Sequence, residues 1–454
     1  MIEDSKRWAL ISVSEKDQVI ELAKGLTSQG IGLISTGGTA KILREAGIEL
    51  VDVSDYTDHA EVMGGRVKTL HPKVHGGILA RDGVDEEVLK ALAIYKIDFV
   101  IVNLYPFQKT ISRGDATFEE AIENIDIGGP ALLRAAAKNH RRVTVMCDPS
   151  DYSDVLSELS RLGNISSEKR LAFAAKAFRH TTEYDSIIAE YLTASCDGNQ
   201  PKFCTGKNIS LKREKILRYG ENPHQEASLY ETEHSRVGTI ACSRQLAGKQ
   251  LSFNNVSDAD TANECVGAFA EPACCIVKHA NPCGVAEADT LEEAYHLAYS
   301  TDATSAFGGV IAFNRPVDER LADKILNRQF VEVVVAPSFE ERALTVFAQK
   351  ENVRILELPK ERSPSESLWD IRSVSGGILV QERDRIDAKE NISAYAIVSK
   401  RRPTPDEEKD LLFAWKVAAY VKSNAIVFAS GSRTLGIGAG QMSRVYSAKI
   451  AGIK

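Results

Sequence analysis

The 454-residue sequence contains eight cysteines, yet no two of them form a C-x-x-C pair. A zinc ribbon or a thioredoxin-like redox motif therefore has no ligand spacing to build on. The P-C-x-x-C half of the zinc-deaminase signature is missing too. Reduced, partly buried thiols are the expectation, and no metal ligands are assigned.

Long apolar runs are also missing. None approaches the roughly 18 residues of a membrane span, and the start "MIEDSKRWALISVS" lacks a signal-peptide pattern. A cytoplasmic protein with no membrane partner is expected. Basic charge is not in excess, because the net charge is −7. No global positive field recruits nucleic acid, so an anionic small substrate needs a local basic site. There is no short repeat and no low-complexity tract.

What is present reads as a globular protein: 43% hydrophobic residues and 26% charged. The length predicts two or three domains. Over residues 1–195, the strand patterns "WALISVS", "IGLIS", "IELVDVS", "DFVIVNLY" and "RVTVMCD" alternate with helical patterns such as "TAKILREAG". That alternation predicts an α/β fold with an open, mostly parallel sheet and helices on both faces. Residues 196–215 are polar with glycine and proline, and read as a linker. A second alternating region follows over 216–404, with "ACCIVKH", "GGVIAFN", "VEVVVAP" and "VRILEL" as strands. The helix "PDEEKDLLFAWKVAAYVKS" opens a further unit over 405–454. Its last stretch, "MSRVYSAKIAGIK", is helical and stops without a closing element, which predicts an incomplete subdomain.

Several turns bring polar groups to sheet edges. "LISTGGTA" joins a strand to a helix through Gly37 and Gly38, flanked by Thr36 and Thr39. Free amides at a helix start suit a phosphate, although a plain strand–helix turn has the same sequence. Residues 63–77, "MGGRVKTLHPKVHGG", hold Arg66, Lys68, Thr69, His71, Lys73 and His75 among five Gly or Pro. The pattern is too irregular for a helix face. It predicts a fixed loop holding cations against an anion, with a solvated basic loop as the alternative. "NLYPF" places Asn103 and Tyr105 at the end of a strongly apolar strand, where open α/β sheets bind ligands. "ENIDIGGPALLRAAAKNH" carries Asp126 and Ile127 before a helix start and Lys138 at its far end. Asp126 reads equally as a helix cap. Asp126 and Lys138 flank one ligand only if the segment bends.

"CCIVKHANPCG" runs from a buried strand into Lys278 and His279 and then a turn, a pairing that suits proton transfer. "ILRYGENPHQ" supplies Arg218 and Tyr219; "GKQLSFNNVSDAD" supplies Asn254 and Asn255. "TSAFGGVIAFN" puts Phe307 beside Gly308, "KSNAIVFA" puts Asn424 before a strand, and Arg444 follows "GIGAGQMS". Each could be a turn, a cap or a solvated cation. Together they form a set of polar groups on glycine-rich turns.

In order along the chain, "RVKTLHPKVHGGILAR", "NLYPF", "ENIDIGG", "AAAKNH", "RYGENPHQ", "VKHANPCG" and "IGAGQMSR" closely resemble the bifunctional AICAR transformylase/IMP cyclohydrolase family. The resemblance implies two reactions. A formyl group passes from 10-formyltetrahydrofolate, the co-substrate, to the ribonucleotide AICAR. The product FAICAR then closes its ring to IMP. It implies a methylglyoxal-synthase-like N-terminal domain for ring closure, followed by cytidine-deaminase-like transformylase units without zinc. It also implies a homodimer, no metal in catalysis, and in some relatives a structural potassium ion. By the same resemblance the nucleotide lies on Ser14, Lys16, Thr36, Gly37, Gly38, Thr39, Arg66, Thr69, Asn103, Asp126 and Ile127. Lys138 is the proton donor/acceptor, with Lys68, Tyr105 and Asp126 alongside. In the second half, His279 is the base, Lys278 stabilises the oxyanion, and Asn424 orients the transferred groups. Arg218, Tyr219, Asn255, Phe307, Gly308, Glu332 and Arg444 are substrate contacts. Relatives continue past Lys454, so transformylation is expected to be weak if the chain ends there, while ring closure survives. Cyclohydrolase activity alone, with the rest as a dimerisation scaffold, is the alternative; a non-catalytic nucleotide sensor is a third.

Overall fold

A computed structural model describes residues 6–195, 203, 206, 208–232, 238–358, 369–384 and 396–453. The chain divides into two compact units, Met1–Asn208 and Ile209–Lys454.

The first unit is built on strands β1 (Trp8–Val13), β2 (Gly32–Ser35), β3 (Val51–Asp52), β4 (Ile97–Asn103) and β5 (Thr144–Met146). They form one sheet of order β3-β2-β1-β4-β5, and every pairing is parallel. A parallel sheet is covered on both faces, which is why its strands read as continuous apolar runs. Leu10, Ile11, Ile34, Val100 and Ile101 are all fully buried. The helices Gly128–Lys138 and Ser167–Ser195 pack on each other and on β5.

Two expectations change here. The "IELVDVS" strand shrinks to β3, because the Asp52 side chain accepts the Ser54 amide at 3.3 Å and turns the chain into the helix Val53–Thr57. Residues 63–77 are not loop throughout. A helix, Pro72–Leu79, starts inside them. Pro72 has no amide to leave unsatisfied at that position, and His71 Nδ1 accepts the Lys73 amide at 3.1 Å.

The second unit opens with a hairpin, β6 (Leu211–Ile216) and β7 (Ser228–Thr232), so a strand begins inside the stretch read as linker. Much of 196–207 lies outside the described residues. The main sheet comprises β8 (Arg244–Ala247), β9 (Ala273–Lys278), β10 (Asn281–Glu287), β11 (Gly309–Phe313), β12 (Val331–Ala336) and β13 (Arg354–Glu357). Its order is β10-β9-β11-β12-β13-β8, with β11, β12 and β13 parallel and the other pairings antiparallel. Side chains alternate between two cores, as the two-residue period of a strand requires. Cys275 and Val277 face one core, while Cys274 and Ile276 face the other. A separate hairpin, β14 (Trp369–Val374) and β15 (Gly377–Glu382), follows.

The helix Pro405–Ala418 leads into a last hairpin, β16 (Ile426–Ala429) and β17 (Thr434–Gly438), and then the helix Arg444–Ile453. Phe413, Val417 and Ile437 join the same core as Cys275 and Val277. Residues 405–453 thus belong to the one compact unit. Thr434 Oγ1 fastens β17 to β10, accepting the Val285 amide at 2.9 Å. Among the described residues no helix is long and apolar enough to cross a membrane.

Candidate active sites

In the first unit the parallel pairings bring the carboxyl ends of β1, β2 and β4 to one edge. Asn103, the last residue of β4, ties the β1 exit loop down. Its Oδ1 accepts the amides of Ser14 at 2.5 Å and Glu15 at 3.0 Å, and its Nδ2 donates to the Glu15 carbonyl at 3.1 Å. Lys16 folds back over the same loop. Its Nζ donates to the Val13 carbonyl and to Thr39 Oγ1 at 2.8 Å, and burial pushes its pKa down.

Thr36 is the extended residue before the helix Gly37–Glu45, and its hydroxyl lies 3.1 Å from Ser12 Oγ, not on a capping amide. The helix therefore begins on the exposed Gly37 and Gly38 with its first amides open to a ligand. Lys68 arches over that turn: a Cβ on Gly37 would stand 3.3 Å from its Nζ. Lys68 pairs with Glu61 at 2.9 Å, and Arg66 pairs with Glu123 on the exposed rim. Thr69 reaches the next helix start, since a Cβ on Gly128 would stand 2.9 Å from its Oγ1.

At that helix start the Asp126 carboxylate accepts the Gly129 amide at 2.7 Å. Burial pushes its carboxyl up, against the pull of the amides of Gly129, Tyr105 and Gly128. Tyr105 and Ile127 stand open beside it, 46% and 62% exposed. One sheet edge thus collects Ser14, Lys16, Thr36 to Thr39, Lys68, Thr69, Asn103, Tyr105, Asp126 and Ile127, with Arg66 at its rim.

Lys138 does not join them. The helix Gly128–Lys138 runs unbroken, which sets its ends about 15 Å apart. Just beyond Lys138, Asn139 Nδ2 donates to the Ile78 and Ala80 carbonyls, and Arg142 donates to the Ile97 carbonyl at the start of β4. Lys138 therefore stands at the amino edge of the sheet, exposed, on the far side from Asp126. His71 is spent on its helix cap, Lys73 pairs with Asp58 at 3.6 Å, and the His75 Nε2 is buried without a hydrogen bond.

In the second unit, antiparallel pairing sets the end of β9 beside the starts of β10 and β11. Lys278, the last residue of β9, donates from Nζ to the Phe307 carbonyl at 2.6 Å. His279 and Ala280 form the two-residue turn into β10, both at φ 54°. His279 is exposed at the sheet edge, not packed in the core. Gly308, at φ 71°, donates its amide to the Phe330 carbonyl at 2.8 Å. The Phe307 and Phe330 rings stand 5.8 Å apart, with Phe307 58% exposed. An ammonium, an imidazole and an aromatic rim converge here.

The last segment closes on the same edge. Asn281 Oδ1 accepts the Lys422 amide at 2.9 Å, and Asn424 Nδ2 donates to the Gln441 carbonyl at 2.8 Å. Asn255 is more committed than a ligand contact needs. It is buried, shares a capping box with Ser252, and donates to Glu332 at 3.2 Å. Glu332 also takes Arg354 at 3.0 Å. Arg218 lies over the Tyr219 ring at 5.5 Å, and the Tyr219 carbonyl accepts the Phe253 amide at 3.0 Å. Arg444 starts the last helix and is exposed.

The sequence reading missed Asp258. This residue of the helix Phe253–Gly267 accepts the amides of His279 and Ala280. Its three-residue spacing from Asn255, on the same helix face, was the available signal.

Residues 18–131 match the MGS-like domain, and residues 136–454 match the AICARFT/IMPCHase bienzyme. A solved structure titled "Crystal structure of ForH" is 40% identical over 41% of this chain and 100% of its own, with a TM-score of 0.38. The bienzyme match spans well over half the sequence, and the chain belongs to the AICARFT/IMPCHase family of purine-biosynthesis enzymes.

Proposed function

We propose that this chain catalyses two consecutive steps of IMP synthesis: formyl transfer from 10-formyltetrahydrofolate to AICAR, then dehydrative closure of FAICAR. The observation that carries the reading is the pairing of an exposed His279 with a fixed Lys278 at one sheet edge. Formyl transfer needs a base for the attacking amine and a cation for the oxygen of the tetrahedral intermediate. His279 fills the first role and Lys278 the second. Asn424 orients the groups, Phe307 and Gly308 border the substrate, and Arg218, Tyr219, Glu332 and Arg444 hold the nucleotide.

Ring closure needs less. The attacking amide and the formyl carbon already belong to one molecule, so positioning supplies much of the rate. Gly37, Gly38, Lys16 and Thr39 hold the phosphate, Lys68 meets the negative formyl oxygen, and Asp126 with Tyr105 relays the amide proton. In this reading the protein works as a cytoplasmic homodimer, with AICAR, FAICAR and IMP as its small-molecule partners and no metal in either step. Two absorbance assays test it: AICAR with 10-formyltetrahydrofolate, and FAICAR alone. Turnover in both supports the proposal. Turnover of FAICAR alone leaves a cyclohydrolase, and no turnover in either rejects it.

A further inference from the structure

The turn that carries His279 is expensive on its own. A two-residue hairpin turn with positive φ at both positions selects Asn and Gly, because a Cβ there crowds the backbone. This chain has His279 and Ala280 instead, both at φ 54°. Each costs roughly 1 kcal/mol in the left-handed region. Something outside the turn must hold it.

Asp258 is placed to do so. Its Oδ2 accepts the His279 amide at 3.2 Å, and its Oδ1 accepts the Ala280 amide at 2.6 Å. One carboxylate thus binds both N–H groups of the strained turn. Asp258 comes from the middle of the helix Phe253–Gly267, which packs on β9 and β11, so its position is rigid. Burial pushes the carboxyl up, and the two amides pull it back. A charge in that setting forms stronger hydrogen bonds than a neutral acceptor. The neighbouring Asn281 extends the arrangement, donating to the His279 carbonyl at 3.1 Å.

We propose that Asp258 is the positioning residue of the formyl-transfer site, holding the His279–Ala280 turn in its left-handed form so that the imidazole faces the substrate. The inference rests on the reading of His279 as the base of formyl transfer. Asp258 touches no reacting atom in it. Loss of the carboxylate lets the turn relax, and His279 swings away while the nucleotide contacts stay.

The test uses the full chain with Asp258→Asn, Asp258→Asn/Ala280→Gly and Ala280→Gly. Asn offers one acceptor oxygen where the carboxylate offers two. Misplacement of a reacting group by about 1 Å costs about 10²-fold, so kcat for formyl transfer falls by that order in Asp258→Asn. KM for AICAR changes little. FAICAR closure, carried by the other unit, is unchanged and reports that the first unit is folded, while the unchanged KM for AICAR reports the same of the second. Glycine removes the strain at Ala280, so the double variant recovers at least about a tenth of the wild-type kcat. A purely structural role would lower melting temperature without this rescue. Formyl transfer near the wild-type rate in Asp258→Asn overturns the inference. If the wild-type chain transfers no formyl group, the reading of this site falls, and amide exchange at His279 and Ala280 then decides the matter. Unchanged protection of both amides in Asp258→Asn overturns the clamp; faster exchange, slowed again by Ala280→Gly, upholds it.

Discussion

The main-chain amide of Asp126 donates a 2.8 Å hydrogen bond to the hydroxyl of Tyr184. That hydroxyl in turn donates to the Asn124 carbonyl at 3.2 Å. Tyr184 belongs to the helix Ser167–Ser195, is buried, and packs edge-on against Phe107. The helix thus fixes the backbone of a candidate catalytic carboxylate from behind. Asp258 does the same for His279 in the other unit, again accepting the main-chain amide of the proposed catalytic residue. In both units the proposed catalytic group sits on a short connection, and its precision comes from one side chain on a long helix.

Tyr184→Phe removes one hydroxyl and takes this partner from a half-buried amide and a half-buried carbonyl. The cost is about 1–3 kcal/mol, which lowers the melting temperature by several degrees. FAICAR closure should slow by about 10-fold, because Asp126 loses its backbone anchor. Calorimetry and the closure assay check both. An unchanged rate in a destabilised protein would mean that Tyr184 serves the fold alone.

Asp126→Asn separates activity from stability. Burial holds the Asp126 carboxyl above its ordinary value of 3.8. A carboxyl raised on folding favours the folded state when protonated, and that contribution is lost as pH rises through the folded value. Asn keeps an acceptor for the Gly129 amide and carries no charge. At pH 7 the variant should therefore melt no lower than wild type. The difference should shrink as pH falls toward 3.8. FAICAR closure should fall by about 10²-fold, since Asn cannot relay the proton. Melting curves across pH, alongside rates, decide it; a variant that is less stable at pH 7 contradicts the argument.

Lys68 and Lys138 offer a direct contrast. Family resemblance gives both a role, but the structure places only Lys68 over the Gly37 turn. Lys138 closes a straight helix at the opposite edge. Lys68→Ala should cost about 10²-fold in FAICAR closure, the scale of one lost oxyanion partner. Lys138→Ala should cost far less. Equal losses in kcat would show that the helix does not hold this geometry during turnover.

Much of this was legible beforehand, and the gaps have physical causes. Apolar runs such as Phe99 to Val102 announce a buried parallel strand directly, because both faces are covered. The site edge followed from glycine-rich turns at the ends of those strands. The helix Pro72–Leu79 was hidden by its own glycines, Gly76 and Gly77, and by a cap that uses histidine. Strand β10 was hidden because its turn is His-Ala, with neither Asn nor Gly to signal a hairpin. Asp258 was hard to read for a related reason: its partners are backbone amides, which leave no mark in the sequence, and only its spacing from Asn255 hinted at it.

Arg142 joins strands and helices at the amino edge of the first sheet. Its guanidinium donates to the carbonyls of Gly77 at 2.7 Å, Ile78 at 3.0 Å and Ile97 at 3.1 Å, and to Asp98 at 3.0 Å. Its side chain is only 9% exposed. Arg142→Ala takes the guanidinium from those carbonyls, of which Ile78 keeps only Asn139, and strips Asp98 of its paired cation, so the cost should be about 3–5 kcal/mol. Burial already pushes the Asp98 carboxyl above 3.8, with Arg142 pulling it down. Removing that pull raises it further. Asp98 in the variant then destabilises the fold most once pH exceeds its raised value, and least near 3.8, where it is largely protonated. The carbonyl losses do not vary with pH. Denaturant titrations at several pH values should show a deficit that is largest near neutrality and narrows in acid without closing. A deficit constant across pH would place the whole cost on the carbonyls and none on Asp98.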